Sequence, residues 1–333
     1  MSLMRAEALQ APEAVARFLQ HNGAALKDLG HKLRALDPPV VITSARGSSD
    51  HAANYLKYLI EISMGVPCAS VGASVVSVYG ATMKIPTGLA ITISQSGKSP
   101  DILALQAAAK LSGALTLGLV NDADSPACQN ADVCMPLCAG PEKSVAATKS
   151  FIVSLVAAAS IVAAWMDDDA LSDAIQRLPE QLQSACAIEW PGFVVQAAAA
   201  KSFYVLGRGP ALSIARETAL KLKETCAVHA EAYSVAEVMH GPLELVEAAF
   251  PLLVFGQADV ALKGTQAAVA KLRALGAHIF FAGGDLPVVE AAHPLLSPIP
   301  MIQTAYLAIE RVAQLRGRNP DRPRHLQKVT ETV

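Results

Sequence analysis

VVITSARGSSDHAANYLKYLIE (residues 40–61) and FYVLGRGPALSIARETALKLKE (residues 203–224) decide the fold. Each opens on an apolar run, breaks at an Arg-Gly, and continues into a helical pattern that ends on Glu. Strand, tight loop and helix in that order are the unit of a parallel sheet, whose neighbouring strands need a crossover to bring the chain back. A second pair points the same way. LQAAAKLSGALTLGLV (105–120) and TQAAVAKLRALGAHIFF (265–281) both read helix then strand. Both pairs are offset by about 160 residues, and two matches at one offset argue for a duplicated α/β unit. The polar stretch MDDDALSDAIQRLPEQLQSA interrupts the apolar halves and marks the join. The reading is therefore a helical leader over 1–30, a first α/β domain over 31–166 and a linker over 167–192. A second α/β domain over 193–316 and a tail over 317–333 complete it.

The bulk composition narrows the function. The 333 residues are 52% hydrophobic and only 17% charged, with a net charge of -2. That balance offers no electrostatic reason to expect nucleic acid or an anionic membrane as partner. The polar start MSLMRAEALQAPEAV lacks the apolar core of a signal peptide. The run FIVSLVAAASIVAAWM (151–166) is too short to span a bilayer easily and reads as a buried helix. Cys134 and Cys138 share a C-x3-C spacing, but no His or carboxylate cluster accompanies them, so no metal is expected. Six reduced thiols in a cytoplasmic protein is the simpler reading.

In an open α/β sheet, ligands bind beyond the carboxyl ends of the strands. One such loop is chemically distinctive. GLAITISQSGKSPDIL (88–103) runs from a buried strand through SQSGKS to a Pro-Asp that opens a helix. Ser94, Ser96 and Ser99 bring hydroxyls, Gln95 an amide, and Gly97 allows close backbone approach to an anion at the helix start. The GKS tripeptide is not a nucleotide P-loop, because that motif needs Gly where Thr92 stands. GRGPAL likewise lacks the third Gly of a dinucleotide fingerprint. Ser48 and Ser49 occupy the matching strand end of the first βα unit. Two hydroxyl-rich loops on one sheet edge suit a small dianion such as a sugar phosphate, without a metal or an arginine clamp. The bland alternative is a helix cap and a turn.

A third feature is RETALKLKE (216–224), where Glu217, Lys221 and Glu224 fall at i, i+4 and i+7 and would share one helix face. On an anonymous helix this is a solvated salt-bridge face.

SQSGKSPD, EKSVAATKSF, LKLKE, HAEAY, HGPLEL and RPRHLQKVTETV, in that order, together resemble the sugar isomerase (SIS) family. The likeness is to the isomerase half of glucosamine-6-phosphate synthase and to stand-alone deaminases of the same type. It implies two tandem SIS domains, each a parallel sheet flanked by helices in three α/β/α layers, and a homodimer. It implies a phosphate cradle of Ser48, Ser49, Ser94, Gln95, Ser96 and Ser99, the last being more often Thr. It implies Glu224 as the proton-shuttling glutamate, with Lys221 and Glu217 steadying the charge of the intermediate. His240 matches a ring-opening histidine lent to the partner subunit's site, and Lys328 a C-terminal lysine that engages the open-chain carbonyl. Val145 and Ala147 match positions touching the sugar. The second of these is Ser in the synthase, so one sugar hydroxyl loses a contact. No cofactor is implied. The synthase's N-terminal Cys nucleophile has no counterpart, as no Cys precedes Cys68.

The residues suit the implied chemistry. One carboxylate can carry a proton between adjacent carbons, a neighbouring ammonium offsets developing negative charge, and a histidine titrates near neutrality for ring opening. The expectation is an isomerase that deaminates glucosamine 6-phosphate to fructose 6-phosphate and ammonia. A plain phosphosugar isomerase, or a phosphosugar sensor without turnover, is the alternative.

Overall fold

A computed structural model describes residues 1–328 and divides the chain into two compact lobes. The N-lobe comprises Glu13–Glu142 and Lys149–Gln176. The C-lobe comprises Met1–Pro12, Lys143–Thr148 and Arg177–Lys328.

The N-lobe sheet contains β1 (Val41–Ser44), β2 (Cys68–Ser70), β3 (Leu89–Ser94), β4 (Leu115–Val120) and β5 (Val133–Pro136). All pairings are parallel, in the order β2-β1-β3-β4-β5. The C-lobe sheet contains β6 (Ser202–Gly207), β7 (His229–Ser234), β8 (Pro251–Phe255) and β9 (His278–Ala282), again all parallel, in the order β7-β6-β8-β9. The inner strands are apolar along nearly their whole length and buried, as strands covered on both faces must be. The two lobes thus repeat one topology. In each, the chain leaves its first strand, crosses to one neighbour, then returns to the other side.

Helices flank each sheet. In the N-lobe, Ser48–Met64 contributes Tyr55, Leu56, Leu59 and Ile60 to the core, all fully buried. The apolar run recognised in the sequence forms a helix over Lys149–Met166, and nearly all of it is buried inside the lobe. That agrees with its reading as a core helix. The C-lobe core is aromatic: Phe193 meets Trp190, Phe203 and Phe280 edge-on at 6.0, 5.7 and 5.8 Å between ring centroids. Such edge-to-face packing places ring hydrogens against the negative faces of neighbouring rings.

One expectation is overturned. Cys128 and Cys134 are joined in a disulfide, so the chain does not carry six reduced thiols. The short helix Pro126–Gln129 turns the chain back into β5 and brings the two Cα atoms to 5.2 Å, within the range a disulfide spans. Cys134 therefore has a partner other than Cys138.

Candidate active site

β1 and β3 are neighbours in the N-lobe sheet, with Ser44 opposite Thr92. The chain turns from β1 toward β2 on one side and from β2 back to β3 on the other. The carboxyl ends of β1 and β3 therefore flank a topological switch point, the crevice where open α/β sheets bind ligands. Both serine-rich loops start there.

Ser48 and Ser49 form the first turn of the Ser48–Met64 helix, entered through Gly47 at φ 54°. Ser99 is the N-cap of the Pro100–Leu111 helix, with extended backbone at φ -64°, ψ 121°. A serine there ordinarily turns its hydroxyl onto the backbone of its own helix. This one makes no capping hydrogen bond. Ser49, Gln95 and Ser96 also make no side-chain hydrogen bond among the described residues, and all three are half-buried. Ser94 is different: its Oγ accepts the Gly97 N–H at 2.9 Å, closing the turn. Gly97 has φ 65°, and a Cβ at this position would stand 2.6 Å from Ser125 Cβ and 2.7 Å from Val120 Cγ1. Only glycine meets both demands. The cap-and-turn alternative thus accounts for Ser94 but not for the side chains of Ser49, Ser96 and Ser99. The lysine of GKS points elsewhere, since Lys98 pairs with Asp122 at 2.9 Å. Its hydrogen bond holds that carboxyl below the usual range.

Sequence reasoning missed one charged group at this edge. Arg46 donates from Nε and Nη2 to Asp101 Oδ2, at 3.0 and 2.6 Å. Asp101 is 1% exposed and also accepts the Ile102 N–H. An arginine in the crevice was not expected; the Arg-Gly of VITSARGSS was the available signal.

In the C-lobe the Ala211–Cys226 helix follows β6. It carries the three charges on one face, as their spacing required. Glu217 is fully buried and Lys221 nearly so, while the Glu224 side chain is 22% exposed. Lys221 Nζ lies 3.2 Å from Glu217 Oε1 and 2.8 Å from Glu224 Oε2. Tyr306 donates its hydroxyl to Glu217 at 2.9 Å. Burial depresses the basicity of Lys221, but the two carboxylates more than offset this and hold its pKa above the ordinary value. The face is therefore not a solvated salt-bridge ladder. It is a buried ion pair carrying one accessible carboxylate.

The remaining candidates lie apart in the C-lobe. His240 ends a 3-10 turn over Glu237–His240 and is exposed, with no hydrogen bond or ion pair among the described residues. Val145 and Ala147 are half-buried in the Lys143–Thr148 segment, and the Val145 N–H donates to the Asp321 carbonyl. Buried Glu7 accepts the N–H groups of Lys143 and Ser144, which anchors that segment to the first helix of the chain. Lys328 is half-buried at a bend; the rest of the 317–333 tail, from residue 329, lies outside the described residues.

The family model for the SIS domain matches residues 38–164 and 198–282, one segment for each sheet. The chain belongs to the SIS domain family. A candidate phosphosugar isomerase of known structure from Silicibacter pomeroyi DSS-3 is 43% identical to this SIS protein. It superposes with a TM-score of 0.93, covering 96% of this chain and 100% of that one. The C-terminal domain of glucosamine-fructose-6-phosphate aminotransferase from Francisella tularensis is 25% identical with a TM-score of 0.86, over 97% and 98% of the two chains. Glutamine--fructose-6-phosphate aminotransferase [isomerizing] of Methanothermobacter thermautotrophicus is 35% identical over 303 residues, which is 85% of this chain and 50% of the relative. The SIS chain spans about half the length of the curated relatives it matches.

Proposed function

We propose that this SIS protein is a phosphosugar aldose-ketose isomerase, and that its reaction is the deamination of glucosamine 6-phosphate. The observation that carries the reading is the buried Glu217–Lys221 pair with Glu224 at its accessible end. A carboxylate that must accept and return a carbon-bound proton needs a fixed position and partial access to substrate. Lys221 supplies a permanent positive charge beside it, which stabilises negative charge developing on the substrate.

In this scheme the ester phosphate is held by Ser48, Ser49, Ser94, Gln95, Ser96 and Ser99, and Val145 and Ala147 touch the sugar. His240 opens the pyranose ring, and its exposure fits a side chain lent across a homodimer. Lys328 engages the open-chain carbonyl. Glu224 removes the proton from C2 while the C1 aldehyde oxygen takes up a proton, giving an enaminol. Returning the proton to C1 leaves a hydroxymethyl group there, and the nitrogen releases the proton that balances the one taken up by oxygen, leaving an imine at C2. Water adds to the imine and ammonia departs, giving fructose 6-phosphate. No redox step and no cofactor enter this balance. The site chemistry suits a cytoplasmic pool of phosphorylated sugars.

A plain isomerase is the second reading. It is favoured by the Silicibacter pomeroyi relative, and differs only in lacking imine hydrolysis.

The test is to incubate the protein with glucosamine 6-phosphate and measure ammonia and fructose 6-phosphate, then repeat with Glu224→Gln. Equal yields of both products, lost by at least about a hundredfold in the variant, are expected for a general acid-base residue. Aldose-ketose interconversion of phosphosugars without ammonia would select the plain isomerase. Tight phosphosugar binding with no turnover of any kind would make the protein a sensor.

A further inference from the structure

The Arg46–Asp101 pair ties together the two loops that carry the serines. Arg46 sits between β1 and Ser48, and Asp101 is the second residue of the helix capped by Ser99. The pair is asymmetric. Asp101 is 1% exposed, while the Arg46 side chain is 53% exposed. A fixed carboxylate therefore lies in the first turn of the helix whose N-terminus faces the crevice. In an empty protein it is favourably placed there, because the helix start carries partial positive charge. For a phosphate dianion it is a like charge competing for the same backbone donors. Arg46 reaches this carboxylate through two donors at 3.0 and 2.6 Å.

We propose that Arg46 is a positioning residue that makes the serine crevice fit for a dianion by masking Asp101, rather than by gripping the phosphate itself. Through its two bonds the guanidinium offsets the negative charge of Asp101. The inference rests on the phosphosugar reading of this crevice. It goes further in naming the residue on which preference for a dianionic ester over a neutral sugar depends.

Masking and gripping predict different double-variant behaviour. Binding of glucose 6-phosphate and of inorganic phosphate is measured by calorimetry, without turnover, for wild type, Arg46→Ala, Arg46→Lys and Arg46→Ala/Asp101→Asn. Arg46→Ala exposes the carboxylate's charge to the ligand and weakens binding of both by on the order of tenfold, in line with an unmasked, partly screened charge. The double variant removes that charge and returns affinity to within about threefold of wild type, since the two substitutions act on one interaction. Arg46→Lys keeps the mask and stays within the same limit, which covers the case in which Arg46→Ala does not fold. In the steady state KM rises for Arg46→Ala while kcat holds, a split that general loosening of the fold would not give.

Unchanged binding in Arg46→Ala overturns the inference. So does a double variant as weak as Arg46→Ala, which would put the guanidinium on the phosphate. An Arg46→Lys variant more than tenfold weaker than wild type overturns it as well. If wild type binds neither ligand, it is the phosphosugar reading that fails.

Discussion

Replacing Lys221 by methionine removes the ammonium that pairs with Glu217 and Glu224 while preserving the length of the side chain. Charges 3.2 Å apart, as Lys221 and Glu217 are, attract by about 5 kcal/mol at an effective dielectric of about 20. Desolvation of both groups offsets much of this while the pair is intact. Once the lysine is gone, the desolvation of Glu217 stays and the ion pair no longer offsets it. Breaking a buried pair this way costs about 3–5 kcal/mol. The partly exposed Glu224 adds little to that figure, because water screens it. The chain's two tryptophans make the measurement specific: Trp165 lies in the N-lobe and Trp190, almost fully buried, in the C-lobe with Lys221. In a Trp165→Phe background, urea unfolding followed by fluorescence therefore reports on the lobe that carries the substitution. Lys221→Met should lower its unfolding free energy by about 3–5 kcal/mol. Adding Glu217→Gln should recover more than half of the loss, because the uncompensated charge is then gone. The pH dependence has a definite sign. A lysine whose folded pKa is raised contributes stability that is fully present below its unfolded value, about 10.4, and is lost as pH rises through the folded one. The difference between wild type and Lys221→Met should thus stay constant from pH 7 to about 10 and shrink only in more alkaline solution. A loss below about 1 kcal/mol at pH 7 would refute the reasoning, as would a difference that collapses between pH 7 and 9.

Gly97→Ala forces a side chain against Ser125 and Val120 at a left-handed φ, and should cost about 2–4 kcal/mol of N-lobe stability and weaken phosphate binding. Thermal melting with and without inorganic phosphate checks both parts. Arg316 donates to the carbonyls of Ala198 and Ala200 and to that of Cys226, so it caps two helix ends at once. Arg316→Ala should destabilise the C-lobe by about 2–3 kcal/mol, read from the same Trp190 signal. If His240 serves a partner's site, mixing inactive Glu224→Gln and His240→Ala chains should restore about a quarter of wild-type activity. Half of the dimers would then be mixed, each with one intact site. Activity that stays absent after exchange of subunits would place His240 in its own chain's chemistry.

The sequence was most legible where the physics is local. The duplicated strand-loop-helix pattern, the burial of the 149–166 helix and the shared face of Glu217, Lys221 and Glu224 all follow from periodicity within a few turns, and the structure reproduces them. The spacing could not say which of the three charges stays accessible. In the fold Tyr306, 89 residues further along, hydrogen-bonds the buried Glu217, while Glu224 stays partly exposed. Other features were out of reach for the same reason. Glu7 binds the backbone of Lys143 and Ser144 from 136 residues away, and so assigns Val145 and Ala147 to the C-lobe, although the chain reaches them from the N-lobe. Cys128 and Cys134 pair because a single turn of helix reverses the chain, whereas the spacing that drew notice was C-x3-C.

Taken alone, the order of residues determined that this protein would build two parallel sheets and line the end of one with serines, because hydrophobic alternation and turn chemistry act over short stretches. The pairing of Arg46 with Asp101, 55 residues apart, was decided only by tertiary structure. Charge masking depends on where side chains meet in space, and strand order, not chain order, sets that.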